Sequence, residues 1–291
     1  MQRTILAICS DLHGGHRHGL LNPATSLEEI NEKGEKVKDY HPELTPIQRY
    51  LWETYIEQIG AVRNLAQDDP LIVILNGDMT AGNKYPQLLV SDRIADQMLI
   101  GAANIEPWFG LAPKAVRLIK GTGAHVFGQG TSEILITQLL KTLHPETSIE
   151  VYDHSLISIG GMDVDISHHG PPPGSRAWLK GNEVRYYLKS LMFDELSAGK
   201  KPPRLILRGH YHDYIKETVN IRNNGDWYES TLVITPSFAY VDNHGRQSVK
   251  SPARITHGMV VVEIVNGELL QITPLTKTVD IRSRETLIER I

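Results

Sequence analysis

Carboxylates and imidazoles recur in five short glycine-containing stretches of this sequence, each placed after an apolar run. The first run, ILAI at 5–8, is typical of a buried strand, and SDLHGG follows it with Asp11 and His13. Residues i and i+2 near a strand end project to the same side. We therefore expect these two side chains to point one way. Asp and His are both metal ligands, so the stretch predicts part of a metal site.

Four further stretches supply six more candidates. They are NGDMT, GTGAH, SHHGP and RGHYH, and they carry Asp78, His125, His168, His169, His210 and His212. Mixed carboxylate and imidazole donors suit Mn²⁺, Fe, Zn²⁺ or Ni²⁺ better than Ca²⁺ or Mg²⁺. The set exceeds what one tetrahedral zinc needs, whereas two ions about 3.5–4 Å apart would use it. Asp78, on a turn after the apolar run LIVIL, is the predicted bridge between them.

The elements that must position these residues alternate along the chain. Strands are predicted at 4–9, 71–75, 115–121, 163–170 and 204–210, and helices at 45–66, 131–144 and 178–197. Thr45 and Thr131 are predicted N-caps, the first with Pro46 at the first helical position. Later alternating segments, at 213–219, 228–235 and 258–274, favour antiparallel pairing. The predicted class is α/β, with one mixed sheet or two packed sheets flanked by helices.

Composition limits the class of protein. The chain has 291 residues, 41% hydrophobic, which suits one catalytic domain over 1–279 with a tail at 280–291.

The polar stretch 14–44 is either a functional excursion near the site or a disordered insertion. A net charge of −4 argues against binding nucleic acid through global basicity, although a local basic groove stays open.

Compartment follows from cysteine usage and hydropathy. The single cysteine, Cys9, excludes an intramolecular disulfide and is expected to be a buried small side chain. No signal-type or membrane-length apolar run is present, which predicts a cytoplasmic protein without a membrane partner. The sequence carries no signal for an oligomeric state.

The five stretches in their order, D-x-H, G-D, G-x-x-x-H, H-x-G and G-H-x-H, resemble the calcineurin-like metallophosphoesterase superfamily over residues 5–212. The resemblance implies a four-layer α/β/β/α sandwich with a dinuclear metal site at the strand ends. It also implies that the C-terminal strands in HGMVVVEIVNGELLQITPL, residues 257–275, complete the second sheet.

The same resemblance assigns the ligands. Asp11, His13 and His212 would hold the first ion, His168 and His210 the second, and Asp78 would be shared. His168 is preferred to His169, which becomes a group on the substrate side or one that supports the ligands.

One departure from the family pattern concerns the third stretch. The family has Gly-Asn-His there, whereas this chain has Gly121, Thr122, Gly123, Ala124 and His125. Thr122 offers a weaker oxygen ligand or orients a water, and His125 is the predicted proton donor or electrostatic stabiliser. The alternative is that the second ion binds loosely.

The implied activity is hydrolysis of phosphate esters by a hydroxide that bridges two divalent transition metal ions, with Asp78 and His125 as catalytic residues and without a covalent intermediate. Arg17 and Arg176 are predicted to contact the substrate. Trp178 either stacks on a base or packs in the core, and Arg208 is either a cationic contact or a sheet-face residue.

A phosphodiester in a nucleic acid or nucleotide is the favoured substrate, because a polar insertion with Arg and Trp near the site leaves room for a large one. A phosphomonoesterase acting on a protein or small molecule is the first alternative. A non-catalytic metal-binding interaction module, suggested by the missing asparagine, is the second.

Overall fold

The structure, a computed structural model, describes residues 2–125, 132–174, 177–240 and 254–282. The predictions for Thr131, Arg176 and the tail from residue 283 lie outside these ranges. The strands are β1 Arg3–Cys9, β2 Leu27–Ile30, β3 Lys36–Tyr40, β4 Leu71–Asn76, β5 Ala115–Ile119, β6 Ser148–Tyr152, β7 His154–Ile159, β8 Met162–Ser167, β9 Leu205–Arg208, β10 Ile215–Asn223, β11 Asp226–Ile234, β12 Arg254–Val265 and β13 Glu268–Asp280. The α-helices are α1 Pro46–Ala66, α2 Ile94–Ile105, α3 Ser132–Leu143 and α4 Asn182–Ser197.

Two mixed sheets dominate the described residues, so the predicted α/β class is confirmed. The first sheet has the order β13-β12-β1-β4-β5-β6, and the second has the order β10-β11-β9-β8-β7. Strands β1, β4, β5 and β6 run parallel, and so do β8, β9 and β11. The outer pairs, including β10 with β11 and β12 with β13, are antiparallel, as the alternating sequence pattern predicts.

Alternation along the strands assigns each buried side chain to one face. From β1, Leu6 and Ile8 share a cluster with Val164 of β8 and Leu207 of β9, so this cluster contains residues of both sheets. Ile5, Ala7 and Cys9 instead share a cluster with apolar residues of α1, α2 and α3. Helix α4 packs on the second sheet. Cys9 is fully buried, as predicted.

Helix α1 begins where its sequence signal predicts. The Thr45 hydroxyl accepts from the backbone N–H of Gln48, and the Gln48 side chain accepts from the backbone N–H of Thr45. This reciprocal capping box, with Pro46 behind it, satisfies backbone donors that the first helical turn cannot pair. The helix predicted from 178 begins later, at Asn182, because Gly181 adopts φ 91° and separates it from a short 3₁₀ turn at Ala177–Leu179.

The two C-terminal strands lie in a different place from the one that the family resemblance implies. Strand β12 pairs antiparallel with β1, and β13 pairs with β12, so both complete the first sheet and the prediction that they complete the second sheet is wrong. The physical reason is that β4 pairs with only one edge of β1, so the opposite edge needs a partner strand. Strand β12 is buried along nearly its whole length, which suits such a central position. In the second sheet the corresponding edge of β9 is taken by β11.

The polar stretch 14–44 is folded, so the alternative of a disordered insertion does not describe it. Strands β2 and β3 form an antiparallel hairpin, and a cluster containing Leu21 and Leu27 packs against Ile100 of α2. Within the described part of the chain, no helix is long and apolar enough to cross a membrane.

Candidate metal centre

All five chemistry-bearing stretches follow the carboxyl ends of parallel strands. Asp11 and His13 follow β1, Asp78 follows β4, and His125 follows β5 in the first sheet. In the second sheet, His168 follows β8 and the pair His210 and His212 follows β9. The carboxyl ends of parallel strands meet at the same edge of a sheet. The two such edges lie together, because two of the ligand groups contain residues of both sheets.

The structure brings seven of these residues into ligand distance of one another. Three groups have their ligand atoms within 4.8 Å of each other, namely Asp11 with His13 and His212, His13 with Asp78 and His125, and Asp78 with His168 and His210. Asp78 belongs to two of the groups. The predicted bridge therefore faces both the His13 side and the His168 side of the cluster.

Short distances inside the cluster join the carboxylates to the imidazoles. Asp11 Oδ1 lies 3.2 Å from His212 Nε2 and 3.7 Å from both His13 Nε2 and His168 Nε2. Asp78 Oδ2 lies 3.1 Å from His168 Nε2. These separations are those of donors that converge on common points, which suits the coordination of cations.

The backbone at this edge is strained. Asp11, His13, Asp78, His210 and His212 adopt φ values between 45° and 72°. Asp and His enter this left-handed region more readily than most residues, but it is still costly for a non-glycine residue. The expectation that Asp11 and His13 point one way therefore holds for a different reason, since β1 ends at Cys9 and a turn, not an extended strand, directs the two side chains.

Hydrogen bonds orient both carboxylates. Asp11 Oδ2 accepts from the Ser10 hydroxyl and, at 3.1 Å, from the backbone N–H of His210. Asp78 Oδ1 accepts from the backbone N–H of Thr122 at 2.6 Å. The opposite oxygen of each carboxylate is left facing the imidazoles.

Burial and charge shift the pKa values of the carboxyl groups in the metal-free protein. Burial by itself disfavours the charged form of Asp11, but the neighbouring His212 and His168 outweigh it and hold the pKa well below its usual range. The same balance, with His168 as the main partner, lowers the pKa of Asp78. Both groups are therefore anionic ligands at neutral pH.

The imidazoles divide into two kinds. Burial and the nearby His125 lower the pKa of His13 to about 4, and burial also lowers that of His210. For His168, burial is outweighed by Asp11 and Asp78, which raise the pKa to about 9, and Asp11 raises the pKa of His212 in the same way. Metal binding to the last two must displace protons.

One buried atom indicates what the cluster lacks. Asp11 Oδ1 is buried, and no contact to it among the described residues has hydrogen-bond geometry, although His212 Nε2 lies 3.2 Å away. A buried carboxylate oxygen without a donor is costly. A cation held by Asp11, His13 and His212 satisfies it, so the donor set fits a metal ion and the cluster could hold one.

The third stretch, residues 121–125, lies against Asp78. The Thr122 hydroxyl lies 3.2 Å and 3.3 Å from the two oxygens of Asp78, so this residue contacts the predicted bridge. His125 Nε2 lies 3.8 Å from Asp78 Oδ2. The role of Thr122 as a metal ligand or water-orienting group, and that of His125 as a proton donor, stay predictions.

The predicted substrate residues lie outside the ligand groups. His169 is exposed with its ring centroid 5.0 Å from that of His210, and Arg17 is exposed with Nε 3.4 Å from Leu89 O. Trp178 is 76% exposed, so the alternative that it packs in the core is wrong. Arg208 is buried and its Nη1 lies 2.6 Å from Asp165 Oδ1, as the sheet-face alternative requires.

The sequence analysis did not predict several residues that orient the cluster through hydrogen bonds. The backbone oxygen of Asn76 accepts from the Ser10 hydroxyl at 2.7 Å and lies 2.5 Å from His168 Nδ1. Buried Glu133, at the start of α3, accepts from the backbone N–H of Met79 at 3.2 Å. Ser10 precedes Asp11 in the sequence and gives a local signal, whereas nothing local in the sequence connects Glu133 with a loop 54 residues away.

Comparisons with known proteins add no functional assignment. No protein-family model and no curated protein sequence matches this chain. A solved structure described as a protein of unknown function, AQ665 from Aquifex aeolicus, is 17% identical and has a TM-score of 0.32. The match covers 72% of this chain and 80% of that chain.

Proposed function

We propose that this chain is a dinuclear-metal-dependent phosphoesterase of the calcineurin-like type that cleaves phosphodiester bonds in nucleotides or nucleic acid. The observation that carries the proposal is the convergence of Asp and His ligand atoms from five separate loops on Asp78 and Asp11. A structural role alone does not account for so many buried or half-buried imidazoles next to two anionic carboxylates.

Two ions fit the donor set better than one. Asp11, His13 and His212 form one complete group, and Asp78, His168 and His210 form another. Asp78 also shares a group with His13, which supports its role as the bridge. Mixed nitrogen and oxygen donors favour Mn²⁺, Fe, Zn²⁺ or Ni²⁺.

The four-layer α/β/β/α sandwich is part of this proposal. It is supported by the cluster that Leu6 and Ile8 share with Val164 and Leu207, which contains residues of both sheets. The separate clusters that contain residues of α1 and of α4 support a helical layer on the other face of each sheet.

Two divalent cations would be held by Asp11, His13, His212, Asp78, His168 and His210. They would neutralise the charge of a phosphate ester and lower the pKa of a bound water. The chain's own residues supply the preorganisation. The Thr122 N–H fixes one oxygen of Asp78, and the Asn76 carbonyl fixes Nδ1 of His168, so the opposite atoms of both side chains face the cluster. This orientation before substrate binding is what electrostatic catalysis requires.

The surface next to the fifth loop, which follows β9 and carries His210 and His212, favours a phosphodiester substrate that has a base to stack. Lys180 Nζ lies 2.5 Å from Oδ2 of Asp213, the residue that directly follows His212. This ion pair holds the segment that carries the exposed Trp178 next to the loop after β9. An exposed indole beside a phosphate site suits the stacking of a base.

The experiment is a substrate panel on metal-free protein reconstituted with Mn²⁺ or Zn²⁺. The substrates are bis-p-nitrophenyl phosphate, p-nitrophenyl phosphate, single-stranded DNA and duplex DNA, each with and without a chelator. We expect chelator-sensitive cleavage with the diesters ahead of the monoester. Asp78→Asn, which replaces the shared anionic ligand by a neutral amide, should lower the rate at least about 100-fold and weaken metal uptake.

Asp163→Asn is the matched control, since Asp163 is exposed on β8. It should retain wild-type turnover and metal content. Faster hydrolysis of the monoester indicates a phosphomonoesterase instead. Bound metal without turnover of any ester supports the interaction module, and full activity of Asp78→Asn contradicts the proposed centre.

A further inference from the structure

His125 is held in one orientation by a backbone contact. Its Nδ1 lies 2.7 Å from the carbonyl oxygen of Ala81. A carbonyl oxygen only accepts hydrogen bonds, so Nδ1 carries the hydrogen of the neutral ring. Nε2 is then left with a free lone pair, which is the arrangement of a metal-ligating histidine whose other nitrogen bonds a backbone carbonyl.

That lone pair faces the metal cluster. His125 Nε2 lies 3.8 Å from Asp78 Oδ2 and belongs to the ligand group with His13 and Asp78. The His125 and His13 rings meet edge to face with centroids 4.3 Å apart. The free nitrogen of His125 is therefore on the His13 side of Asp78 and not on the His168 side.

Thr122, in the same stretch, contacts Asp78 and does not occupy the ligand position that His125 faces. The backbone N–H of Thr122 donates to Asp78 Oδ1, and its hydroxyl lies within hydrogen-bonding distance of both oxygens of that carboxylate. Thr122 thus orients Asp78 as a ligand. The only additional imidazole that the third stretch brings to the cluster is His125.

We propose that His125 is a ligand of the first metal ion and not a proton donor, which makes the two metal sites unequal. The first ion then has five protein ligands, and the second keeps three. The first set joins two of the ligand groups that share His13, namely Asp11 with His13 and His212, and His13 with Asp78 and His125. The second set is the group of Asp78, His168 and His210. The inference rests on the metal centre of the proposed function, and it predicts one tight and one weak site.

Cobalt titration tests the assignment directly. Metal-free wild type, His125→Gln and the control His154→Gln are titrated with Co²⁺, following visible absorption and binding heat. His154 is exposed and pairs with Asp165, outside the cluster. We expect His125→Gln to weaken the tighter Co²⁺ site at least about 10-fold and to change its absorption spectrum, because a nitrogen ligand is lost. His154→Gln should match the wild type.

A second measurement separates the ligand from the proton donor. The variants are assayed on bis-p-nitrophenyl phosphate, whose leaving group departs as a stable anion, and on a dinucleotide, whose alkoxide needs a proton. A lost metal ligand slows both reactions alike. A lost proton donor slows only the dinucleotide reaction and leaves Co²⁺ binding unchanged, and that result overturns the inference.

The two proposals fail in different ways. Wild type that shows the His125-dependent Co²⁺ site but hydrolyses no ester overturns the proposed function and supports the ligand assignment. Active wild type with unchanged Co²⁺ binding in His125→Gln does the reverse. If His125→Gln does not fold by circular dichroism, His125→Asn is titrated in its place, and wild-type binding by that variant also contradicts the assignment.

Discussion

Five of the proposed ligands are held in the left-handed backbone region. This conformation costs an L-residue roughly 1–2 kcal/mol, so five together cost on the order of 5–10 kcal/mol, comparable with the net stability of a domain. Glycine would relieve the strain at each position but would remove the ligand atom. Strain retained at positions such as Asp11 and Asp78 therefore argues for a function of their side chains.

Buried His257 gives a prediction about pH. Burial lowers its pKa from the ordinary 6.5 to about 4. As pH falls from 6.5 to 4, the unfolded chain binds a proton at this residue and the folded chain does not, so stability present above pH 6.5 is lost on acidification. The full shift corresponds to about 3 kcal/mol.

His257→Gln removes that titration. Urea unfolding of chelator-treated protein between pH 7 and pH 4 should show a smaller loss of stability for the variant than for the wild type, by about 3 kcal/mol. The wild type and the variant are compared at each pH, so that other titrating groups cancel. Parallel stability curves for the two proteins would contradict the prediction.

At the scale of elements, the loops at the strand ends fit together with little free space. A Cβ atom placed on Gly121, two residues after the end of β5, would lie 2.0 Å from Asp78 Oδ1 and 2.3 Å from the Asp78 backbone nitrogen. The absence of a side chain is what lets the β5 loop donate the Thr122 N–H to Asp78. The close approach of two loops thus sets the direction of the shared carboxylate.

Gly121→Ala should therefore disturb the metal centre through the loop. We expect about 1–3 kcal/mol of destabilisation, as for other forced overpacking, together with weakened metal uptake. The control is Gly60→Ala in the middle of α1, where an added Cβ meets nothing within 4 Å. That change should stabilise the protein by up to about 1 kcal/mol. Urea unfolding and Co²⁺ titration measure both effects, and unchanged Co²⁺ binding in Gly121→Ala counts against the prediction.

Elements with a strong local signal could be predicted from the sequence. The apolar runs predicted all five strands that carry the site, and the capping box at Thr45 predicted the start of α1. Helix α2 was missed, and its N-cap position, Arg93, makes no capping hydrogen bond that would mark a start. The edge that β12 occupies depends on which strand needs a partner, and this is a property of the assembled sheet and not of the β12 sequence.

Site residues followed the same rule. The ligand candidates were predictable because each lies in a short stretch after an apolar run, and parallel strand ends meet at one edge. Their backbone conformation was not, since β1 ends at Cys9 and the turn beyond it has no distinct sequence signal. Contacts such as Glu133 to the Met79 N–H depend on helix packing and could not be read from spacing.

At the scale of the whole molecule, the candidate site occupies one end of the two sheets. A second exposed tryptophan lies at the opposite end of the second sheet and can serve as a control. Trp178 is 76% exposed near the site, and Trp227 is 70% exposed at the start of β11. Strand β11 ends at Ile234, paired with Arg208 just before the fifth loop. Trp227 is thus separated from that end by about 23 Å of extended strand.

The two tryptophans allow a test of where a nucleic acid substrate binds. The net charge of −4 gives no general attraction for DNA, so binding must come from local contacts, among which base stacking on Trp178 contributes about 1–3 kcal/mol. Trp178→Ala should raise the KM for single-stranded DNA about 5-fold or more, with little effect on kcat. Trp227→Ala should leave the KM unchanged because its indole is remote from the five loops. An equal rise in KM for both variants would show that exposed indoles bind DNA nonspecifically, and no rise for Trp178→Ala would remove the stacking surface from the proposal.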